Sequence, residues 1–256
     1  MPNKSLGQHW LTDRSILADI ADEILIEKTD TVLEIGPGLG TLTSELLRRA
    51  GQVVAVEFDA ELASKLPGQF PGTNLQVVNA DILQYDLAKL PSGYLVVANV
   101  PYYITSKIVE KLLTASNKPR AIVLLVQQEV AERIAAPKGE LSLLGLSAQI
   151  YANVRLGTLV PREYFTPPPK VDSQVAILEL RDEPLVSSID ERAFWRVAKA
   201  GFANKRKMLR SSIAAGLAIP KPAAEELLRH ANIDPNLRAQ DLSIDDWLRL
   251  AKDSVG

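Results

Sequence analysis

The sequence predicts an α/β protein: an open parallel sheet with helices on both faces, followed by a small all-helical C-terminal domain. Three observations predict it. From about residue 30 to about residue 150, short β-rich apolar runs alternate with stretches of helical spacing, the pattern of a doubly wound sheet. Residues of chemical character stand at the ends of successive runs: Gly36, Glu57, Asp81 and Asn99. Beyond Asp182-Glu183-Pro184 the strand pattern stops and everything from Asp190 reads helical. The natural division is a first domain of 1–183 and a second of 184–256.

Residues 15–26 place apolar side chains at helical spacing. Thr31-Val32-Leu33-Glu34-Ile35 is the first strand and runs into Gly36-Pro37-Gly38-Leu39-Gly40, with a helix over 41–50. Val53–Val56 is the second strand, closed by Glu57, and 60–66 returns to helix. Leu75–Val78 leads to Asn79-Ala80-Asp81, and Leu95–Ala98 leads to Asn99. Helix is predicted over 104–114, strand over 121–126, and helices over 130–135 and 145–151. The runs 154–159 and 175–180 then suit a hairpin closing the sheet edge. Pro167-Pro168-Pro169 between them cannot join a ladder, because proline has no N–H to donate, and is read as a stiff loop. Breaks in the helical tail fall at Pro220, Pro222 and Pro235.

Composition removes several function classes. With 46% hydrophobic and 23% charged residues the 256-residue chain is an ordinary globular sequence, able to bury a full core. It has no cysteine, so no disulfide, thiolate metal site or cysteine nucleophile exists. Only His9 and His230 are present, which speaks against a histidine-built metal centre. No apolar run has the length of a membrane span, and Met1-Pro2-Asn3-Lys4 leads into no signal core, so the expectation is a cytoplasmic protein without a membrane partner. Net charge is −2, yet Arg192 to Arg210 carries seven basic residues, including Lys205, Arg206, Lys207 and Arg210, and no acid. Local charge is what a phosphate backbone meets.

In an open parallel sheet, ligands bind beyond the carboxyl ends of the strands. The glycines at Gly36, Gly38 and Gly40 let backbone approach a ligand and turn tightly into a helix. Their spacing is not that of a dinucleotide fingerprint. Glu34, two residues upstream, repels a pyrophosphate but suits a ligand with a cationic centre or an amine. Glu57 stands where nucleoside-binding sheets hold a ribose diol. Asp81 suits an adenine amine, though an aspartate there also serves as a turn cap. Asn99-Val100-Pro101-Tyr102 offers a side-chain carbonyl, a rigid acceptor-rich backbone and an aromatic face, which together suit a planar exocyclic amine.

With these features in view, Glu34–Gly40 and Asn99–Tyr102 resemble the ribosomal RNA adenine N6-dimethyltransferase family of the bacterial small subunit. Further segments agree: Leu6-Gly7-Gln8-His9-Trp10-Leu11, Phe165 to Ser173, the basic Phe202 to Leu209 read as a helix, and Arg238-Ala239-Gln240-Asp241-Leu242-Ser243. The chain departs from the family pattern at Trp10 (usually Phe), at Tyr103 (usually Asn), over Lys138 to Leu146, and at Gln240 (usually Glu). The resemblance implies a Rossmann-like class I methyltransferase sheet and S-adenosyl-L-methionine as cofactor. It implies that His9 and Leu11 fold over that cofactor, Gly36 meets its amino-acid end, Glu57 its ribose and Asp81 its adenine. Asn99 would lie between cofactor and substrate, with Tyr102 and Phe165 sandwiching the target base. The implied substrate is small-subunit (16S) rRNA within a pre-30S particle, dimethylated at two adjacent adenosines near its 3′ end. The expected enzyme is a monomer when free and needs no metal. Three competitors stay open at this point: a large-subunit rRNA methyltransferase of the macrolide-resistance type, a non-catalytic assembly factor on the same fold, and a nicotinamide-dependent dehydrogenase. The last is disfavoured by the glycine spacing.

Overall fold

A computed structural model describes residues 9–186 and 190–254. Leu6-Gly7-Gln8 of the opening segment lie outside them. The chain divides into two compact units, Met1–Glu132 with Asn153–Leu180, and Arg133–Ala152 with Arg181–Gly256. The segment 133–152, continuous in sequence with the first domain, therefore packs with the second.

In the first unit, β2 (Thr31–Ile35), β3 (Gln52–Glu57), β4 (Leu75–Asn79), β5 (Leu95–Asn99), β6 (Ala121–Gln127), β7 (Ala152–Val160) and β9 (Ser173–Leu180) form one seven-stranded sheet in the order β4-β3-β2-β5-β6-β9-β7. Pairs β4-β3, β3-β2, β2-β5 and β5-β6 are parallel, and β6-β9 is antiparallel. The predicted hairpin thus closes the edge, with its second strand on the inside. The central strands are near-continuous apolar runs because helices cover both faces: Val96, Val97, Ala98, Ile122, Val123 and Leu124 are fully buried. From β2 the chain winds outward through β3 and β4, then returns to β5 on the other side of β2. That reversal opens a crevice between the carboxyl ends of β2 and β5, where Glu34, Gly36 and Asn99 stand.

Crossover helices α2 (Thr41–Arg49), α3 (Ala60–Gln69) and α4 (Thr105–Thr114) complete this half, and α5 (Gln128–Ile134) follows β6 directly. Asp59 caps α3, its carboxylate accepting from the backbone N–H groups of Glu61 and Leu62. The first helix, α1 (Arg14–Ala21), stops before the apolar period does. The cause is tertiary. Asp22 is taken by a two-bond ion pair with Arg49, and Glu23 Oε1 accepts from the backbone and hydroxyl of Thr158 on β7. A two-residue strand, β1 (Trp10–Leu11), pairs antiparallel with β8 (Phe165–Thr166), Trp10 opposite Thr166 and Leu11 opposite Phe165.

The second unit is helical: α6 (Leu143–Tyr151), α7 (Glu191–Phe202), α8 (Leu209–Leu217), α9 (Lys221–His230) and α10 (Ile244–Asp253). Its core is built on Trp247, fully buried and stacked on Phe202 with centroids 5.1 Å apart. Gly201 permits this, since a Cβ there would lie 2.4 Å from the indole. The departure at Gln240 has a use in this unit. Its amide donates to the Gly139 carbonyl (3.1 Å) while Gly139 N–H donates to its backbone carbonyl (3.0 Å), fixing the turn at 138–140. Among the described residues no helix is long and apolar enough to cross a membrane.

Candidate active site

The crevice at the sheet's switch point is lined by His9, Trp10, Leu11, Glu34, Gly36, Gly38, Glu57, Asn99, Pro101 and Tyr102, among others. A second hollow, lined by Asp81, Ile82 and Leu83, continues it and shares Gly36, Glu57, Phe58, Pro101 and Tyr103 with the first. The ends of four strands, far apart along the chain, are thus brought to one cleft.

Gly36 and Gly38 hold φ at +66° and +56°, conformations that side chains rarely adopt. A Cβ on either would point at Pro101 or Trp10, into the cleft. Gly40, at φ +81°, acts elsewhere. A Cβ there would lie 2.7 Å from Leu66 of α3, so this glycine serves helix packing. Of the three, only the first two form a cradle for a ligand.

Glu57 ends β3 almost fully buried. Its Oε2 accepts from Gly38 N–H (3.0 Å) and its Oε1 from Asp59 N–H (2.8 Å). Each carboxylate oxygen has two lone-pair sites, so one on each remains for a diol. Glu34 is 1% exposed, and its Oε2 accepts from the Thr43 hydroxyl at 2.6 Å. Burial pushes its carboxyl up to about 8 against the Thr43 bond, with Glu57 adding to the rise. Asp81 both lines the second hollow and caps its own turn, Oδ1 accepting from Leu83 N–H at 2.8 Å.

Asn99 is half-buried, and its side chain makes no hydrogen bond to a described residue. Pro101 O receives only long hydrogen bonds, from Ile104 N–H (3.3 Å) and Thr105 Oγ1 (3.4 Å); the hydroxyl has a shorter alternative at Tyr102 O (3.2 Å). Tyr102 is held by a 2.6 Å hydrogen bond between its hydroxyl and Ser173 Oγ, which is fully buried. Burial pushes its phenol up, so it stays neutral at physiological pH. Its ring lies 6.0 Å from that of His9 at 18°, and His9 Nδ1 is 2.7 Å from Pro167 O. Leu11 anchors the opening strand through its carbonyl, which accepts from Thr41 Oγ1 at 2.9 Å.

Two parts of the sequence reading stand differently from expectation. Phe165 is not among the residues that line the cleft. It is 2% exposed within the hydrophobic core that holds Leu11, Val160 and Val175. Its partner on β1 draws it inward. Lys205, Arg206 and Lys207 do not lie on a helix; they form the exposed turn between α7 and α8. Arg210 is already engaged with Glu225 at 3.5 Å. Sequence reasoning gave no site role to Trp10, Phe58, Tyr103, Thr43 or Ser173. Trp10 and Tyr103 do depart from the family pattern, and that departure is the signal that could have found them.

The sequence matches the family profile described as "Ribosomal RNA adenine dimethylase" over residues 2–254. The chain belongs to that family. Membership makes it an rRNA adenine dimethyltransferase. It is 42% identical over 257 residues to the ribosomal RNA small subunit methyltransferase A of Dehalococcoides mccartyi strain CBDB1, covering 99% of this chain and 88% of the relative. It is 41% identical to the protein of that name from Shouchella clausii, with 97% and 88% covered. Among solved structures it resembles a dimethyladenosine transferase from Plasmodium falciparum (TM-score 0.81, 28% identity, 94% and 96% covered). It also resembles the 23S rRNA methyltransferase ErmE (TM-score 0.76, 31% identity, 96% and 100% covered).

Proposed function

We propose that the protein dimethylates the N6 amines of two adjacent adenosines near the 3′ end of small-subunit rRNA, in a pre-30S particle, with S-adenosylmethionine as methyl donor. One observation carries the reading: the free carbonyl of Asn99 and the lightly engaged Pro101 carbonyl stand beside Tyr102, on the rim of a cleft that also holds Glu57 and the Gly36-Gly38 cradle.

These residues fit the cofactor. Gly36 and Gly38 leave room that a Cβ would fill, Glu57 has two lone pairs for a diol, and Asp81 stands in the adjoining hollow. S-adenosylmethionine supplies an electrophilic methyl group on a sulfonium sulfur. The rest of the chemistry falls to the chain. An adenine N6 lone pair is delocalised into the ring and is a poor nucleophile. Asn99 Oδ1 and Pro101 O accept its two hydrogens and so localise the pair toward the donor. Tyr102, braced by Ser173, offers the stacking face that offsets the cost of unstacking the base, roughly 1–3 kcal/mol. Orientation supplies most of the acceleration, and the N6 proton leaves to solvent. After one methylation the remaining N–H turns into the same clamp. The exposed Lys205, Arg206 and Lys207 bind RNA phosphates.

A large-subunit substrate is the second reading, favoured by the likeness to a 23S rRNA methyltransferase. The 42% and 41% identities to small-subunit methyltransferases favour the first. Incubation with labelled S-adenosylmethionine and undermethylated subunits of each kind decides between them. Label in the small subunit alone is the expected result; label confined to the large subunit overturns it.

A further inference from the structure

The tight turn that follows Pro101 carries two consecutive tyrosines with different surroundings. Tyr102 is committed inward, its hydroxyl bonded to Ser173 and its ring facing His9. Tyr103 is 66% exposed, and its side chain makes no hydrogen bond to a described residue. It lines both hollows of the cleft, and so does Phe58, itself 63% exposed. Two large rings left in water at the junction of two hollows mark a surface that a ligand covers, because such area is unfavourable in solvent. Phe58 follows Glu57 and Tyr103 follows Tyr102, so the two rings come to the same two hollows from different strand ends.

We propose that Tyr103 is a cofactor-retaining residue, closing with Phe58 over the adenosine half of the S-adenosyl ligand. The proposal rests on the reading given under Proposed function. One turn then serves both reactants: Tyr102 holds the acceptor base and Tyr103 the donor. The ring touches the nucleoside portion, so the methylated and demethylated ligands benefit alike. Tyr103 thereby slows product release as well as cofactor loss.

The test compares wild type with Tyr103→Asn and Tyr103→Phe. Titration calorimetry measures S-adenosylmethionine and S-adenosylhomocysteine affinity, stopped-flow measures dissociation of the latter, and circular dichroism checks folding. Tyr103→Asn should weaken both ligands at least fivefold, a change equivalent to about 1 kcal/mol, and speed dissociation by a similar factor. Affinity for small-subunit rRNA should stay within twofold. Tyr103→Phe, which keeps the ring, should stay within twofold in every measurement. Ligand affinities unchanged in Tyr103→Asn overturn the proposal alone. A loss in RNA binding without a loss in cofactor binding would assign the ring to a flanking nucleotide and overturn it equally. Failure of wild type to bind either ligand overturns the cofactor reading itself.

Discussion

Replacing Glu57 by glutamine tests the cofactor half of the cleft with the least disturbance of shape. In wild type the carboxylate accepts two backbone N–H groups, from Gly38 at 3.0 Å and Asp59 at 2.8 Å, and keeps one lone pair on each oxygen for the ligand. The amide keeps one oxygen and turns an NH2 toward the other backbone donor. One buried N–H therefore loses its acceptor, at about 1–3 kcal/mol of stability. One ligand hydroxyl loses a charged acceptor, which for such bonds is worth about 1.5–3 kcal/mol. The second effect alone converts to an affinity loss of roughly 10- to 150-fold. Titration calorimetry with S-adenosylmethionine reads it, and thermal unfolding of the cofactor-free protein reads the first effect separately. RNA affinity measured without cofactor should not change. A cofactor dissociation constant within threefold of wild type refutes the assignment of Glu57 to the ligand, and its two backbone bonds would then be its whole role.

Two further predictions concern charge. Neutralising Lys205, Arg206 and Lys207 together should weaken rRNA binding and flatten the log–log salt dependence by about 0.7–0.9 for each phosphate no longer neutralised; parallel lines for mutant and wild type would mean this turn touches no phosphate. Glu34 has a folded carboxyl at about 8 against 4.5 in the unfolded chain, so its contribution to stability is fully present below pH 4.5 and is lost as pH rises through 8. Relative to Glu34→Gln, wild type should lose stability, on the order of a few kcal/mol, as pH rises from about 4.5 through about 8, read by urea unfolding of the cofactor-free protein. Superimposable pH profiles would show that the carboxyl is not desolvated.

Much of this site was readable because a parallel sheet sends its loops to one edge. Once alternation placed Glu34, Gly36, Glu57, Asp81 and Asn99 at strand ends, their convergence followed from topology. What the sequence did not reveal depends on the meeting of distant segments. The pairing of Trp10–Leu11 with Phe165–Thr166 involves two residues on each side, too few for any periodicity, and joins opposite ends of the first domain. Phe165, paired with Leu11, is buried in the core. The end of α1 at Ala21 was hidden for a similar reason, since Glu23 is claimed by Thr158 from the far edge of the sheet. The run at 205–207 is rich in residues that favour helices, yet it follows Asn204, whose carbonyl accepts from Lys207 N–H at 3.0 Å and closes a turn. Position 103 was visible only as a departure, and its meaning came from its place at the junction of two hollows.

The central claim is that Asn99 and the Pro101 carbonyl clamp an adenine N6 amine for methyl transfer. Single-turnover methylation of undermethylated small subunits by wild type and Asn99→Ala, with digestion of the rRNA to nucleosides and mass analysis, tests it most directly. Wild type should yield N6,N6-dimethyladenosine at two adjacent positions. Asn99→Ala should bind cofactor within a few-fold of wild type yet transfer at a rate at least a hundredfold lower, the order expected when one preorganised hydrogen-bonding group is removed. Transfer by Asn99→Ala at a rate within a few-fold of wild type, or methyl groups found on any atom other than adenine N6, would contradict the account.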